Sequence, residues 1–235
     1  MNMRQLTVVL ALASACIFVA SCSSRGGPPP PVPTDVLDRL LLSPAEINTA
    51  IGATGILVMG TGAAMSDNSA NIPDKDCRFN LSAQASVYDG SGWIAARNQY
   101  LSDSSSHEVW QAVVSFPSAN DAARFFTASA QRWQACRQFH YINPGQPDKV
   151  WTVGPIAITN GTLSTTDTQV GGGGFTDQRA LAVSNNVAID ATVCAVNPAH
   201  AAVFNIVDQI AAKVAKQWGG GLARTVDTPR GVIGI

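Results

Sequence analysis

The sequence predicts an α+β domain, a twisted antiparallel sheet flanked by helices. Two observations predict it. Strand-like stretches fall in adjacent groups, with helical stretches between the groups and not after every strand, which disfavours a doubly wound parallel sheet. The composition, 46% hydrophobic and 13% charged, belongs to a packed core, and 235 residues suffice for one well-buried domain.

The elements follow in order. Ser43-Pro44-Ala45-Glu46 is a compact helix start: Ser43 caps, Pro44 suits the first helical position and Glu46 reaches back to the cap amide. Gly52 should end that helix. Gly55 to Gly60 (GILVMG) predicts a short buried strand, and Thr61 to Asp76 a polar loop. Trp93 to Tyr100 and Glu108 to Phe116 predict strands, the second ended by Pro117. Ser118 with Asp121 starts a helix whose apolar positions (Ala122, Phe125, Phe126, Ser129, Trp133, Cys136) recur at helical spacing. Val150 to Val153 and Gly161 to Val170 predict further strands, and Gly171 to Gly174 a turn. Phe175 to Val183 and Val187 to Val193 form a hairpin around Ser184-Asn185-Asn186. A last helix is expected from Pro198 to Trp218, with Val203, Ile206, Val207, Ile210 and Val214 as its apolar stripe. Lys213 and Lys216 complement its dipole, and Gly219 to Gly221 stop it.

Ahead of the domain lies a leader. Arg4 supplies a positive n-region, Leu6 to Ala20 an apolar h-region, and Val19-Ala20-Ser21-Cys22 a short aliphatic residue, two small ones and a cysteine. These features resemble a bacterial lipoprotein signal, which implies cleavage before Cys22, lipid on Cys22 and a membrane-tethered protein outside the cytoplasm. An ordinary signal ending at Ala20 is the alternative, and the cysteine at the cleavage point speaks against it. The apolar run is shorter than the roughly 20 residues of a spanning helix. The expected organisation is a signal peptide over 1–21, a lipidated Cys22 with a Pro/Gly-rich tether over 22–34, a folded domain over 35–218 and a tail over 219–235. Ser23 to Pro33 (SSRGGPPPPVP) favours extended polyproline II, a semi-rigid spacer.

Charge and motifs exclude several functions. Removing residues 1–21 takes away Arg4 and no acid, leaving 14 basic against 16 acidic residues, a formal charge of −2. No basic patch stands out, so no nucleic-acid partner is expected. No Gly-x-Ser-x-Gly elbow, Cys-x-x-Cys pair or His-x-x-x-His spacing occurs, and His107, His140 and His200 are far apart in sequence. The four glycines lack the lysine and hydroxyl of a phosphate loop. No catalytic residue, metal site or cofactor is therefore expected. Asp190 alternates with Ile189 in a strand and faces away from it, toward solvent or a cleft wall. Trp93, Trp110 and Trp151 are expected in the core, with a cleft lining as the alternative.

Several stretches together are similar to a known family. They are SGWIAARNQ (Ser91–Gln99), WQAVVSFPSANDAARFF (Trp110–Phe126), SAQRWQAC (Ser129–Cys136), WTVGPIAITNGTLSTTDTQVGGGGF (Trp151–Phe175) and QRALAVSNNVAIDATVC (Gln178–Cys194). They resemble the mycobacterial family built on the extracellular sensor domain of serine/threonine protein kinase H, over about Leu41 to Trp218. Stand-alone lipoproteins carry this domain too, and the lipobox places the chain among them. The resemblance implies an extracytoplasmic α+β domain with a cleft that binds a ligand, and no reaction. Its partners would be a membrane, through Cys22, and a small-molecule or cell-envelope ligand. An envelope protein partner and a hydrolase acting on envelope material are the alternatives.

The resemblance also implies the disulfides. Cys77 and Cys136 match one pair. Cys194 matches half of a second, whose other half would fall where this chain has Thr176-Asp177. The expected result is one bridge and a free Cys194, buried as a small hydrophobe; pairing of Cys194 with Cys77 or Cys136 is the alternative.

Overall fold

The computed structural model describes residues 29–219. Thirteen elements follow a first 3-10 turn at Thr34–Arg39: α1 (Pro44–Ile51), β1 (Leu57–Gly62), α2 (Ala85–Tyr88), β2 (Ala95–Ser102), β3 (His107–Ser115), α3 (Ala119–Trp133), β4 (Gln138–Tyr141), β5 (Lys149–Thr152), β6 (Ala157–Thr159), β7 (Thr162–Gln169), β8 (Phe175–Ser184), β9 (Val187–Val196) and α4 (Ala202–Gly219). The strands form one antiparallel sheet in the order β1-β2-β3-β9-β8-β7-β5-β4, with β6 paired to β7. This is the α+β architecture expected.

Local chemistry sets the element ends. The Ser43 hydroxyl accepts from the Glu46 amide, and the Ser43 amide donates to the Glu46 carboxylate at 2.7 Å. Gly52 closes α1 in the left-handed region at φ 72°, open to glycine at little cost. Ser118 caps α3 by accepting from the Asp121 amide at 3.2 Å.

Helices cover both faces of the sheet. On one face α1, α4 and the Thr34–Arg39 turn pack on β3, β8 and β9 through Leu37, Leu40, Ile47, Ile206 and Ile210, all fully buried. Gln111 fixes the approach to α1, its side-chain oxygen accepting from the Leu42 amide at 2.9 Å and its nitrogen donating to the Leu42 carbonyl at 2.8 Å. On the other face lie α2, α3 and a 3-10 turn at Lys75–Leu81, packed through Phe79, Tyr88, Phe116, Phe125 and Trp133. Phe79 stacks on Trp133 and Tyr88 on Phe125.

The structure departs from expectation in four places. The strand expected to be buried, β1, is an exposed edge: Leu57 is 64% and Met59 55% exposed, and the buried residue is Ile56, just before it. Among the described residues it pairs with β2 alone, so apolar side chains alone did not bury it. The second departure is at the N-terminus. Contacts of the folded part begin ahead of Asp35, because Val32 is buried and both its amide and its carbonyl bond to Asn186, at 2.6 and 3.3 Å. The short α2, β4 and β6 were not anticipated, being three or four residues long and too short to show periodicity. Finally, α4 begins at Ala202, beyond the expected Pro198. Cys22 and the tail from 220 onward lie outside the described residues.

Candidate functional site

Register carries the site. On the face toward α3, side chains from β3, β9, β8 and β7 line up in transverse rows. Val114, Ala188 and Val183 make an apolar row. Next come Ala112, Asp190, Leu181 and Leu163, then Trp110, Thr192, Arg179 and Thr165. The last row is Glu108, Cys194, Asp177 and Asp167. Directly opposed residues share a face, so polarity rises from one end of the sheet to the other.

At the polar end the sheet is hollowed into a cleft of about 320 Å³. Its floor is Glu108, Trp110, Asp177, Thr192 and Cys194. Tyr141 and Trp151, from β4 and β5, and Phe175, which opens β8, form an aromatic wall. The segment from Asn68 to Gln84 is the roof, contributing Asn80, Leu81, Ser82 and Gln84. A smaller hollow of about 220 Å³ adjoins it, sharing Glu108 and Phe175 and bounded by the loop Ser104–His107. There the Asp103 carboxylate accepts from the amides of Ser105, Ser106 and His107 and meets His107 Nδ1 at 2.7 Å, which fixes the loop.

The roof is pinned to the floor. Cys77 and Cys136 are disulfide-bonded, tying the Lys75–Leu81 turn to the end of α3. Arg179 Nε donates to the Phe79 carbonyl at 2.6 Å. The Arg179 guanidinium forks onto both Asp190 oxygens, and the Tyr88 hydroxyl donates to Asp190 Oδ2 at 3.0 Å. Arg179 also lies over the Trp133 ring, 5.2 Å from its centre. The Ser82 and Thr192 hydroxyls bond at 2.6 Å. Ser82 itself has φ 60° and ψ −145°, a region that is nearly glycine-only, so these contacts hold a strained residue at the cleft edge.

Polar atoms of cleft-lining residues are left over. Asn80 Oδ1 and Nδ2, Gln84 Oε1 and Asp177 Oδ1 are buried without a hydrogen-bond partner. Such orphans are uncommon in folded proteins, and each leaves a buried polar group short of a partner. Burial pushes the Asp177 carboxyl up to about 6, with a hydrogen bond from the Cys194 thiol opposing it. Burial likewise pushes Asp167 up to about 7. The Cys194 thiol is raised well above its usual value by burial and by Asp177, so it stays protonated and unreactive.

The sequence-predicted residues sort as follows. Cys194 is free and buried, and it lines the cleft. Trp110 and Trp151 line the cleft, whereas Trp93 packs against the α3-side core. Asp190 faces away from Ile189 as expected but lies neither in solvent nor on the cleft wall. It is 1% exposed and paired with Arg179, also 1% exposed, because an unpaired charge there would be prohibitive. His107 borders the small hollow, and His140 and His200 are exposed. Among the described residues no group of three His, Cys, Asp or Glu side chains could hold a metal ion. Sequence reasoning missed Arg179, Asp177, Asp167, Tyr141 and the roof. Asp177 had a usable signal: counting back from the Ser184–Val187 pair of the hairpin sets it opposite Cys194.

Comparison with known proteins identifies the domain. The family model described as "PknH-like extracellular domain" matches residues 32–213. The chain is 32% identical over 213 residues to serine/threonine-protein kinase PknH of Mycobacterium bovis, covering 88% of this chain and 35% of that protein. The same identity and span hold for PknH of Mycobacterium tuberculosis, of which 33% is covered. The chain thus spans about a third of the length of these relatives, and the kinase activity in their name is a statement about them. The crystal structure of the extracellular domain of PknH from Mycobacterium tuberculosis superimposes with a TM-score of 0.73 at 31% identity, covering 80% of this chain and 98% of that one. Among the described residues no helix is long and apolar enough to cross a membrane. By sequence and by fold together, this chain belongs to the PknH-like extracellular domain family.

Proposed function

We propose that the chain is a lipid-anchored binding module of the cell envelope, held on the extracytoplasmic side by lipid on Cys22 and carrying a ligand in the cleft. The observation that supports ligand binding most is the cleft itself. It is concave, walled by aromatic rings and edged by polar atoms that the protein leaves unpartnered. The roof is fixed by a disulfide and by the Arg179 hydrogen bond to the Phe79 carbonyl, which suits a preformed site more than a lid that folds over its ligand. No bond-breaking role is assigned to any residue. The proposed organisation is a signal peptide over 1–21, a tether from Cys22 to about Val32, and the family domain after it.

Native mass spectrometry of the protein, released gently from its own membrane, tests the binding role. A reproducible extra mass that is lost on unfolding supports it. A clean apo mass, with no small molecule in the extract, would overturn it in favour of a protein partner. Replacing Cys22 with Ala tests the anchor: the variant should leave the detergent phase and lose the mass of the acyl groups, and unchanged partitioning at unchanged mass would sink the claim.

A further inference from the structure

The cleft has a consistent chemical bias. Glu108, Cys194 and Asp177 stand side by side on β3, β9 and β8, and Asp167 continues the row on β7. Asp167 is 1% exposed with Oδ2 unpartnered, so the row ends in a buried carboxyl still short of a donor. Across the cleft, on the roof, Gln84 Oε1 and Asn80 Oδ1 are also unpartnered. Of the orphaned atoms on cleft-lining residues, three accept and only Asn80 Nδ2 donates. The site is therefore short of donors. Five aromatic residues, Trp110, Phe139, Tyr141, Trp151 and Phe175, line it, and ring faces are negative. Among the described residues Lys149 is the one cationic side chain in the lining, and it is exposed.

We propose that the cleft selects an organic cation, an amine or amidine whose charged, hydrogen-bond-donating end lies over the Glu108–Cys194–Asp177 row and whose apolar body rests on the aromatic wall. The assignment rests on the binding role proposed above. An ammonium group supplies the missing donors, neutralises the carboxylates and is attracted to the rings. An anion would face Glu108 and Asp177, and a purely apolar ligand would leave the acceptors unpaired. A bare metal ion fits poorly. Among the described residues no group of three His, Cys, Asp or Glu side chains could hold one. The groups facing Asp177 are Glu108 from β3, Cys194 from β9, Asp167 from β7, Lys149 from β5 and Tyr141 from β4. Only Lys149 among them opposes a cation.

The full chain, purified in neutral detergent, is titrated by saturation-transfer NMR at pH 7.5 with four probes: phenethylammonium, 2-phenylethanol, 3-phenylpropanoate and a neutral disaccharide. Phenethylammonium should bind about tenfold more tightly than its neutral isostere, with 3-phenylpropanoate weakest. Asp177→Asn and Glu108→Gln should each weaken it about tenfold while leaving the far-ultraviolet spectrum unchanged. Trp110→Ala should weaken both aromatic probes. Binding of phenethylammonium should also weaken at pH 5, where Asp177 takes up its proton. If 2-phenylethanol or the disaccharide binds as well as the amine, and Trp110→Ala weakens it, the cation assignment fails and the cleft role survives. If no probe binds, or binding is indifferent to all three substitutions, both fail.

Discussion

The two faces of the central strands are built on opposite principles. Toward α4, the row Val113, Ile189 and Ala182 meets Ile206 and Ile210, and the contact is apolar and closed. One residue along, on the reverse face, Ala112, Asp190 and Leu181 hold a buried carboxylate, and the next rows hold a guanidinium, three carboxyl groups and an open cleft. Period-two alternation lets one strand serve both roles. The α4 face stabilises by burying apolar area, at roughly 25 cal/mol per Å². The α3 face carries the groups that oppose stability: a strained Ser82, orphaned polar atoms and carboxyls whose burial holds them partly protonated. The lesson is that an open cleft with unpaired polar groups is tolerated on this sheet because the closed face offsets it.

The contrast is broken most severely by separating the buried charges. Arg179→Met should cost about 3–5 kcal/mol, because Asp190 is left charged and uncompensated. Chemical denaturation measures it, and a loss under about 1 kcal/mol would mean that Asp190 needs no cationic partner there. On the closed face, Ile206→Ala should cost about 3 kcal/mol through the cavity it leaves, without altering the cleft. Faster amide exchange across residues 75–84 in that variant would show that the faces are not independent.

Replacing Cys77 and Cys136 together with Ser should cost about 2–3 kcal/mol, less than the ion pair, since other contacts also hold the roof. Amide exchange should accelerate across residues 75–84, and uniform protection there would overturn the pinned-roof description.

The smallest effect is the one that separates the faces most cleanly. Asp167 is raised to about 7 from an unfolded value near 3.8. Between those values the folded state binds more protons than the unfolded one, so its contribution favours folding at low pH and declines as pH rises from about 4 to 7. Asp167 faces Asp177, Arg179 and Thr165, and removing its charge should relieve more than it disturbs. Asp167→Asn should be about 1 kcal/mol more stable than the parent at pH 8 and flatten the pH dependence over that window. A variant that is less stable at pH 8 would show that the carboxylate has a partner it needs.

Much of the fold was legible in the sequence. Helix ends were written in Ser43 to Glu46 and in Gly52, and the long strands and both long helices carried periodicity. What failed was context. The apolar run of β1 is the same whether the strand is central or at an edge, and only topology decides. The disulfide came from family resemblance and not from spacing. The cleft floor was half legible, because hairpin register sets Asp177 against Cys194. The roof was not, since 3-10 turns have no amphipathic period and their position depends on Arg179 and Cys136, distant in sequence.

The contact between Val32 and Asn186 fixes where the chain enters the domain. Pro30 and Val32 are bonded to Asn185 and Asn186, at the turn joining β8 to β9. The cleft lies at the opposite end of the same hairpin, beside Phe175 and Cys194. From Asn186 to Cys194 an extended strand runs about 25 Å. If the chain leads back from Val32 to a lipid on Cys22, the hairpin turn is the pole nearest the bilayer and the cleft opens at the far pole. The domain would then behave as a mast with its receptacle at the top, out of the headgroup layer and facing whatever diffuses through the space beyond the membrane.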